Sequence, residues 1–155
     1  MKSVSAIFFC IVLTYTCHAQ IDTSTTAVIP HEEVSGLVFN NFKNSNLTPK
    51  DLIQIEKILN KCILENQSYL KGINSQESTK MPSHNIELKN YKRQYVAVLN
   101  DKGEKEVWIN CFCMHWDKYW KKEIVLTKGG GSCFFNLKIN LSNGKYYDLK
   151  VNSDE

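Results

Sequence analysis

The pattern of apolar and polar residues changes its period about halfway along the chain. Between residues 47 and 72, apolar side chains recur every three or four positions, as on a helix with one buried face. Thr48 supplies an N-cap, Pro49 suits the first helical position, and Asp51 completes a capping box. Gly72 can end the helix. The expected buried stripe consists of Leu52, Ile55, Leu59, Cys62, Ile63, Asn66 and Leu70.

From residue 87 onward, apolar and polar residues alternate with a period of two, which is typical of strands. The turn sequences NDKG and SNG favour tight hairpins between strands. Predicted strands lie within residues 91–99, 104–113, 122–127, 129–141 and 145–151. One long helix before such strands predicts an α+β fold, in which the helix packs on one face of a four- to five-stranded antiparallel meander sheet.

Alternation also predicts which side chains of the sheet face the helix. That face is expected to carry Val107, Ile109, Cys111, Cys113, Cys133, Phe135, Leu137, Ile139, Leu141, Tyr147, Leu149 and Val151. Because Cys62 lies on the buried stripe of the helix, this pattern predicts that it shares one interior layer with the three cysteines of the sheet.

The opposite face of the predicted sheet carries large aromatic side chains, which are either used for binding or covered by another part of the chain. Two segments are candidate covers: residues 31–42, which read as a short helix or a first strand, and the loop at 114–120. Covered aromatics would form a second small core, whereas open ones would bind a protein or small ligand. The candidate binding residues are Trp108, Phe112, Trp116, Trp120 and Phe134.

The first residues have the features of a secretory signal peptide. Lys2 precedes the apolar run at 6–15, which is shorter than the ~20 residues that span a bilayer. Small residues before the expected cut predict a mature chain that begins at Gln20. A lipid-anchored form, cut before Cys17, is less favoured because Thr16 stands where a smaller residue is expected. We therefore expect a secreted or periplasmic protein.

Domain organisation and charge narrow the possible partners. We expect a signal peptide at 1–19, a flexible leader at 20–30 and a single α+β domain at 31–155, with no transmembrane segment. The chain carries 19 Lys and Arg against 16 Asp and Glu, which is too balanced to indicate nucleic acid as a partner. The sequence leaves the oligomeric state open.

Four of the six cysteines lie beyond the expected signal peptide, and an even number in an exported chain favours disulfides. Cys113 ends one predicted strand and Cys133 begins a neighbouring one, so a Cys113–Cys133 disulfide is the favoured pairing. Cys62 and Cys111 could then pair with each other or remain buried thiols.

Cys111, Cys113 and His115 alternate, and their side chains are of the kind that bind zinc or copper. A closed metal site would need a fourth ligand and reduced thiols, and a catalytic thiol would need a lowered pKa. The sequence contains neither a serine-hydrolase elbow nor a P-loop. We therefore predict no enzyme activity, no catalytic residue, no cofactor and no metal.

Two resemblances add to this interpretation. Residues 87–152, with "YKRQYVAVLNDKGEKEVWINCFC" and "GGGSCFFNLKINLSNGKYYDLKVN", resemble small exported proteins of Bacteroidetes bacteria, a resemblance that implies export and no particular activity. The helix-on-sheet layout resembles the cystatins, whose Gln-x-Val-x-Gly hairpin inhibits cysteine proteases. Here Gln94 and Val96 are followed by Val98 instead of glycine, and no late Pro-Trp pair is present.

The sequence thus predicts an exported, non-catalytic binding protein of cystatin-like layout whose ligand is unidentified. A cystatin-type protease inhibitor is the first alternative. A metal- or thiol-dependent protein that uses the Cys-x-Cys-x-His cluster is the second.

Overall fold

The computed structural model describes residues 24–34, 36–71, 86–114 and 118–153. The predicted signal peptide lies outside these ranges. The described chain forms one main helix and a six-stranded open sheet, so the predicted α+β class is confirmed. The strands are β1 (Thr26–Val28), β2 (Lys43–Asn44), β3 (Lys92–Leu99), β4 (Lys105–Phe112), β5 (Phe134–Asn140) and β6 (Lys145–Val151).

The sheet is mixed, so the prediction of a purely antiparallel meander is only partly right. Strands β3, β4, β5 and β6 do form an antiparallel meander in that order. At the other edge, β1 runs parallel to β3, and β2 pairs with the far end of β3 in antiparallel orientation. Both added strands are too short to show an alternating pattern in the sequence.

Strand β1 lies within the segment 20–30 that the sequence indicates is a flexible leader. Thr26 pairs with Arg93, and the Ile29 backbone N–H donates to the Tyr95 carbonyl at 2.9 Å. Ile29 is buried. The described part of the leader is therefore held in the fold by backbone hydrogen bonds and by an apolar anchor.

The predicted strand at 122–127 is wrong. This stretch follows a 3-10 turn, Lys118–Lys121, and then runs as irregular chain over the sheet. Side-chain amides of the sheet, rather than a neighbouring strand, bond its backbone.

The main helix, α1 (Pro49–Glu65), begins as predicted, with a capping box. The Asp51 N–H donates to Thr48 Oγ1 at 3.2 Å, and the Thr48 N–H donates to Asp51 Oδ2 at 2.8 Å. Asn66 interrupts the helix, and a short second helix, α2 (Gln67–Leu70), follows. The apolar members of the predicted stripe are all buried. Among the described helices, none combines the length and hydrophobicity that crossing a bilayer requires.

The helix-side core lies between α1 and one face of the sheet. Most of the predicted inward residues are confirmed as buried there: Val107, Ile109, Cys111, Phe135, Leu137, Ile139 and Leu141. The buried side chain of Arg93 lies next to this core, with its Nε 3.3 Å from Glu56 Oε1. The Tyr95 hydroxyl donates to the same Glu56 oxygen at 2.6 Å, so the carboxylate joins the helix to β3.

Tyr147 does not face the helix, contrary to the prediction. The register between β5 and β6 shifts by one residue between Asn136 and Lys138. Asp148, in the bulge, has a positive φ of 52°. Because a bulge reverses the alternation beyond it, Tyr146 packs against the helix-side core, and Tyr147 lies on the other face.

The predicted Cys113–Cys133 disulfide is confirmed, and it closes a loop with a sequence separation of 20. The prediction that all four cysteines share one layer is wrong, because Cys133 packs in the core on the other face. Cys62 and Cys111 are free, buried thiols in the helix-side core. Burial raises the pKa of Cys62 to about 12 and also raises the pKa of Cys111, so both thiols stay protonated at neutral pH.

Candidate functional site

The face of the sheet opposite α1 is covered rather than open. Of the five aromatic residues proposed for binding, Trp108, Phe112, Trp120 and Phe134 are buried in a second core, and Trp116 lies outside the described residues. Trp108, at 6%, is the most exposed of the four. We call this cluster the loop-side core. Its other buried members are Ala27, Ile29, Val34, Phe39, Val96, Val98, Val125 and Cys133.

The first cover of the loop-side core is the segment 31–39. It starts with a 3-10 turn, His31–Val34, and buries Val34 and Phe39. His31 Nε2 lies 3.0 Å from the Phe39 carbonyl oxygen, a contact that closes the segment into a compact loop. The 31–42 segment therefore covers the aromatic face, which was one of the two possibilities that the sequence left open. Among its described residues, the helical part is one short 3-10 turn.

The second cover is the segment 118–126, which two buried carboxamides attach to the sheet. Gln94 Nε2 donates to the carbonyl oxygens of Trp120 and Glu123, at 2.5 and 2.7 Å. Gln94 Oε1 accepts from the Val125 N–H at 3.0 Å and from Asn110 Nδ2 at 3.1 Å. Asn110 Nδ2 also donates to the Val125 carbonyl at 2.7 Å. These bonds supply the backbone partners that a strand at 122–127 would otherwise need.

Aromatic packing fixes the start of this second cover, and the disulfide joins the chain on its two sides at Cys113 and Cys133. The Trp120 ring meets the Phe112 ring edge-on, with centroids 5.8 Å apart. Gly130 has a φ of +86°, and a Cβ atom there would lie 2.7 Å from the Phe134 ring. The glycine is therefore required both by its backbone conformation and by the close approach of Phe134.

The two covers do not meet above Trp108, and the gap between them is a cavity of about 270 Å³. We call it the Trp108 cavity. Leu37 from the first cover and Leu126 from the second stand at its rim, with 66% and 62% of their surfaces exposed. The residues that line the cavity are Leu37, Val38, Trp108, Ile124, Leu126, Asn136, Lys138, Asp148 and Lys150.

The floor of the cavity is polar on the side of β5 and β6. Trp108 Nε1 donates to Asn136 Oδ1 at 3.3 Å. Lys138 Nζ donates to Asp148 Oδ2 at 3.0 Å and lies 5.2 Å from the centre of the Phe39 ring. Lys150 is the residue directly opposite Asn136 in the register of β6 and β5. The cavity therefore combines aliphatic walls with one neutralised ion pair and one further cation.

A second concave region lies beside α1 and is a weaker candidate. It has a volume of about 400 Å³ and is lined by Asn60, Ile63, Leu64, Ile86, Glu87, Leu88 and Lys89. Its two charged residues pair with each other, with Lys89 Nζ 2.6 Å from Glu87 Oε2. It therefore presents no net charge and little specific chemistry to a ligand.

The residues behind the two alternative functions are buried, already bonded or outside the described ranges. The cystatin-like match starts at Gln94 in the middle of β3, and its Val96 and Val98 are buried. Of the proposed metal cluster, Cys113 is bonded to Cys133, Cys111 faces the helix side, and His115 lies outside the described residues. No group of three or more metal-binding side chains occurs in the described ranges.

Of the residues that line the cavity, the sequence-based prediction of binding residues included only Trp108. Asn136 and Lys138 lie on the same face of the sheet as Trp108, and the alternation of residues in the strands was enough to predict this. The positions of Leu37 and Leu126 could not be predicted in this way, because they lie on irregular chain whose path depends on distant side chains. Comparisons with protein-family models, with curated proteins and with solved structures found no match to this chain.

Proposed function

We propose that this chain is an exported, non-catalytic binding protein that takes a ligand into the Trp108 cavity. The observation that carries the proposal is the gap between two otherwise well-anchored covers, framed by two exposed leucines above a polar floor. Large exposed apolar side chains around a concave, partly polar surface are typical of binding sites.

A binding role is favoured over catalysis by the groups that line the cavity. Its two lysines, one aspartate and one asparagine include no thiol, hydroxyl or imidazole that could act as a nucleophile with a neighbouring base. Asp148, the only carboxylate of the lining, is already paired with Lys138. These groups can orient a ligand, and the acid–base contact among them, between Lys138 and Asp148, is an ion pair.

Export is supported by the disulfide, because such bonds persist mainly in oxidising compartments. Intact mass of the protein recovered after expression in a bacterium with a periplasm tests it. We expect a mature chain that begins at Gln20, one disulfide and two thiols that alkylate only after denaturation. A chain that keeps residues 1–19 would contradict export.

The layout of a helix on an antiparallel meander also supports the cystatin-like fold as part of this proposal. A protease inhibitor of cystatin type is a weaker candidate, because the segment that would form the wedge is buried in β3. A metal- or thiol-dependent protein is weaker too, because the Cys113 sulfur is already bonded to Cys133.

The binding proposal is tested by screening small fragments against the ¹⁵N-labelled mature protein by NMR. Binding in the cavity should shift the indole N–H resonance of Trp108 and leave that of Trp120 unchanged. Leu126→Gln should weaken any such binding about fivefold or more, through loss of apolar contact. Leu64→Gln is the matched control, because Leu64 is also an exposed leucine, lies on α1 and does not line the Trp108 cavity. Equal effects of the two variants, or no Trp108 shift with any fragment, would overturn the proposal.

A further inference from the structure

The hydrogen bond between Trp108 and Asn136 fixes the orientation of the Asn136 amide. An indole N–H can only donate, so the amide must turn its oxygen toward Trp108 Nε1, 3.3 Å away. The Asn136 NH₂ group is then left for other partners, and it makes no hydrogen bond within the described ranges. Asn136 is only partly buried and lines the cavity. The floor therefore presents a hydrogen-bond donor to whatever enters.

The ammonium group of Lys150, next to Asn136, is a second hydrogen-bond donor. Lys150 is the cross-strand neighbour of Asn136, at a position where side chains on one face of an antiparallel pair are in contact. Lys150 is exposed and has no acidic partner among the residues described. Lys138 and Asp148 neutralise each other, so the cavity as a whole carries the charge of Lys150. Two hydrogen-bond donors and one net positive charge favour a ligand that carries one anionic acceptor group.

The rest of the cavity determines the size and polarity of the remaining part of the ligand. Leu37, Val38, Ile124 and Leu126 form aliphatic walls on the side of the two covers. The volume of about 270 Å³ lies just below the ~300 Å³ at which sites for drug-sized ligands begin. The space thus fits a compact hydrocarbon group.

From these observations, and resting on the proposed function, we infer that the Trp108 cavity binds a compact monocarboxylic acid. The carboxylate accepts hydrogen bonds from the Asn136 amide and the Lys150 ammonium group, while the hydrocarbon body packs between Leu37 and Leu126. A charged acceptor makes stronger hydrogen bonds than a neutral one, so the acid is preferred over its amide. An amine of the same shape is rejected by Lys150.

The experiment compares three probes of similar shape on the mature protein: cyclohexanecarboxylate, cyclohexanecarboxamide and cyclohexylmethylamine. Titrations followed by the Trp108 indole resonance should give a dissociation constant about tenfold lower for the acid than for the amide. The amine should cause no shift. Lys150→Gln should raise the dissociation constant of the acid about tenfold and change that of the amide much less, because the amide is a neutral acceptor.

Lys145→Gln is the matched control, because Lys145 is an exposed lysine of the same strand that does not line the cavity. It should leave all three titrations unchanged. Equal affinities for acid and amide, or no effect of Lys150→Gln on the acid, would overturn the ligand class while leaving a binding cavity in place. No Trp108 response to any probe would overturn the ligand class and the proposed function together.

Discussion

The two faces of the sheet are covered by different means. On one face, a single regular helix contributes Leu52, Ile55, Ile58, Leu59, Cys62 and Ile63 to a core that is mostly apolar. On the other face, two irregular segments close over the aromatic side chains, and Gln94, Asn110 and a disulfide hold the second of them in place. The helix satisfies its own backbone, whereas the irregular cover depends on side chains of the sheet for its hydrogen bonds.

This difference determines where the cavity lies. A helix presents side chains at close and regular intervals, so it can fill the groove of a twisted sheet without a break. Irregular segments are fixed at a few points, and a cavity with Trp108 in its lining remains between the attachment at Val125 and the compact loop at 31–39. The cavity therefore lies on the face whose cover is attached to the sheet at only a few points.

The largest effect is expected from the helix-side core. Leu59→Ala removes a fully buried side chain, and the free energy of unfolding should fall by about 4 kcal/mol. The Trp108 indole resonance should stay in place, because Leu59 belongs to the other core. Urea denaturation measures the first effect and NMR the second. A stability loss below about 1 kcal/mol, or a displaced Trp108 resonance, would break the distinction between the faces.

The next effect concerns the disulfide that joins the chain on the two sides of the second cover. Replacing Cys113 and Cys133 together by alanine should lower the free energy of unfolding by about 3 kcal/mol, as expected for a loop of this length. Adding a reductant to the denaturation buffer should destabilise the wild type by a similar amount and leave the double variant unaffected. If the reductant destabilises both equally, the effect does not come from this disulfide.

The attachment of the second cover through Gln94 is expected to contribute less. Gln94→Leu leaves two carbonyls and the Val125 N–H without their partner and should cost about 2 kcal/mol. Hydrogen exchange at the Val125 amide should become faster, which mass spectrometry can follow. Gln54→Leu is the control, because the Gln54 amide donates to the Leu141 carbonyl on the helix side and does not touch the second cover. Unchanged exchange at Val125 would show that the carboxamide does not hold the cover.

The smallest effect is a pH-dependent one at the start of α1. Partial burial raises the pKa of Asp51, but hydrogen bonds from Lys105 and Thr48 outweigh it and hold the pKa below its ordinary value of 3.8. A lowered folded-state pKa gives stability that is present above the unfolded value and is lost as the pH falls through the folded one. Asp51→Asn should therefore cost about 1 kcal/mol at neutral pH.

The cost of Asp51→Asn should shrink as the pH falls below 3.8, because the wild-type carboxyl then becomes protonated as well. Asp101→Asn, in an exposed turn, is the control and should change little at any pH. Denaturation curves at several pH values measure both. A cost that does not change with pH would mean that the cap acts without its charge.

The helix-side half of the fold was predictable because its signals are local and periodic. The capping box, the apolar stripe and the alternation of β4 and β5 are read directly from spacing, and the cysteine pairing followed from strand ends. Tyr147 was misplaced because of a bulge at Asp148, a position that lacks the glycine by which some bulges can be recognised.

The loop-side half was less predictable because its contacts join distant residues. The apolar stretch at 122–127 looks like a strand, but Gln94 and Asn110 take the place of a neighbouring backbone. The aromatic residues were identified correctly as unusual, while their burial depended on the path of segments 31–39 and 118–126. Of the candidate site, only Trp108 came from the sequence.

The most direct test of the central claim is a crystal structure of the mature protein soaked with cyclohexanecarboxylate. The account predicts electron density above Trp108, between Leu37 and Leu126, with the carboxylate within hydrogen-bond distance of Asn136 Nδ2 and Lys150 Nζ. Density at the concave region beside α1, or a loop-side cover that closes completely over Trp108, would contradict it.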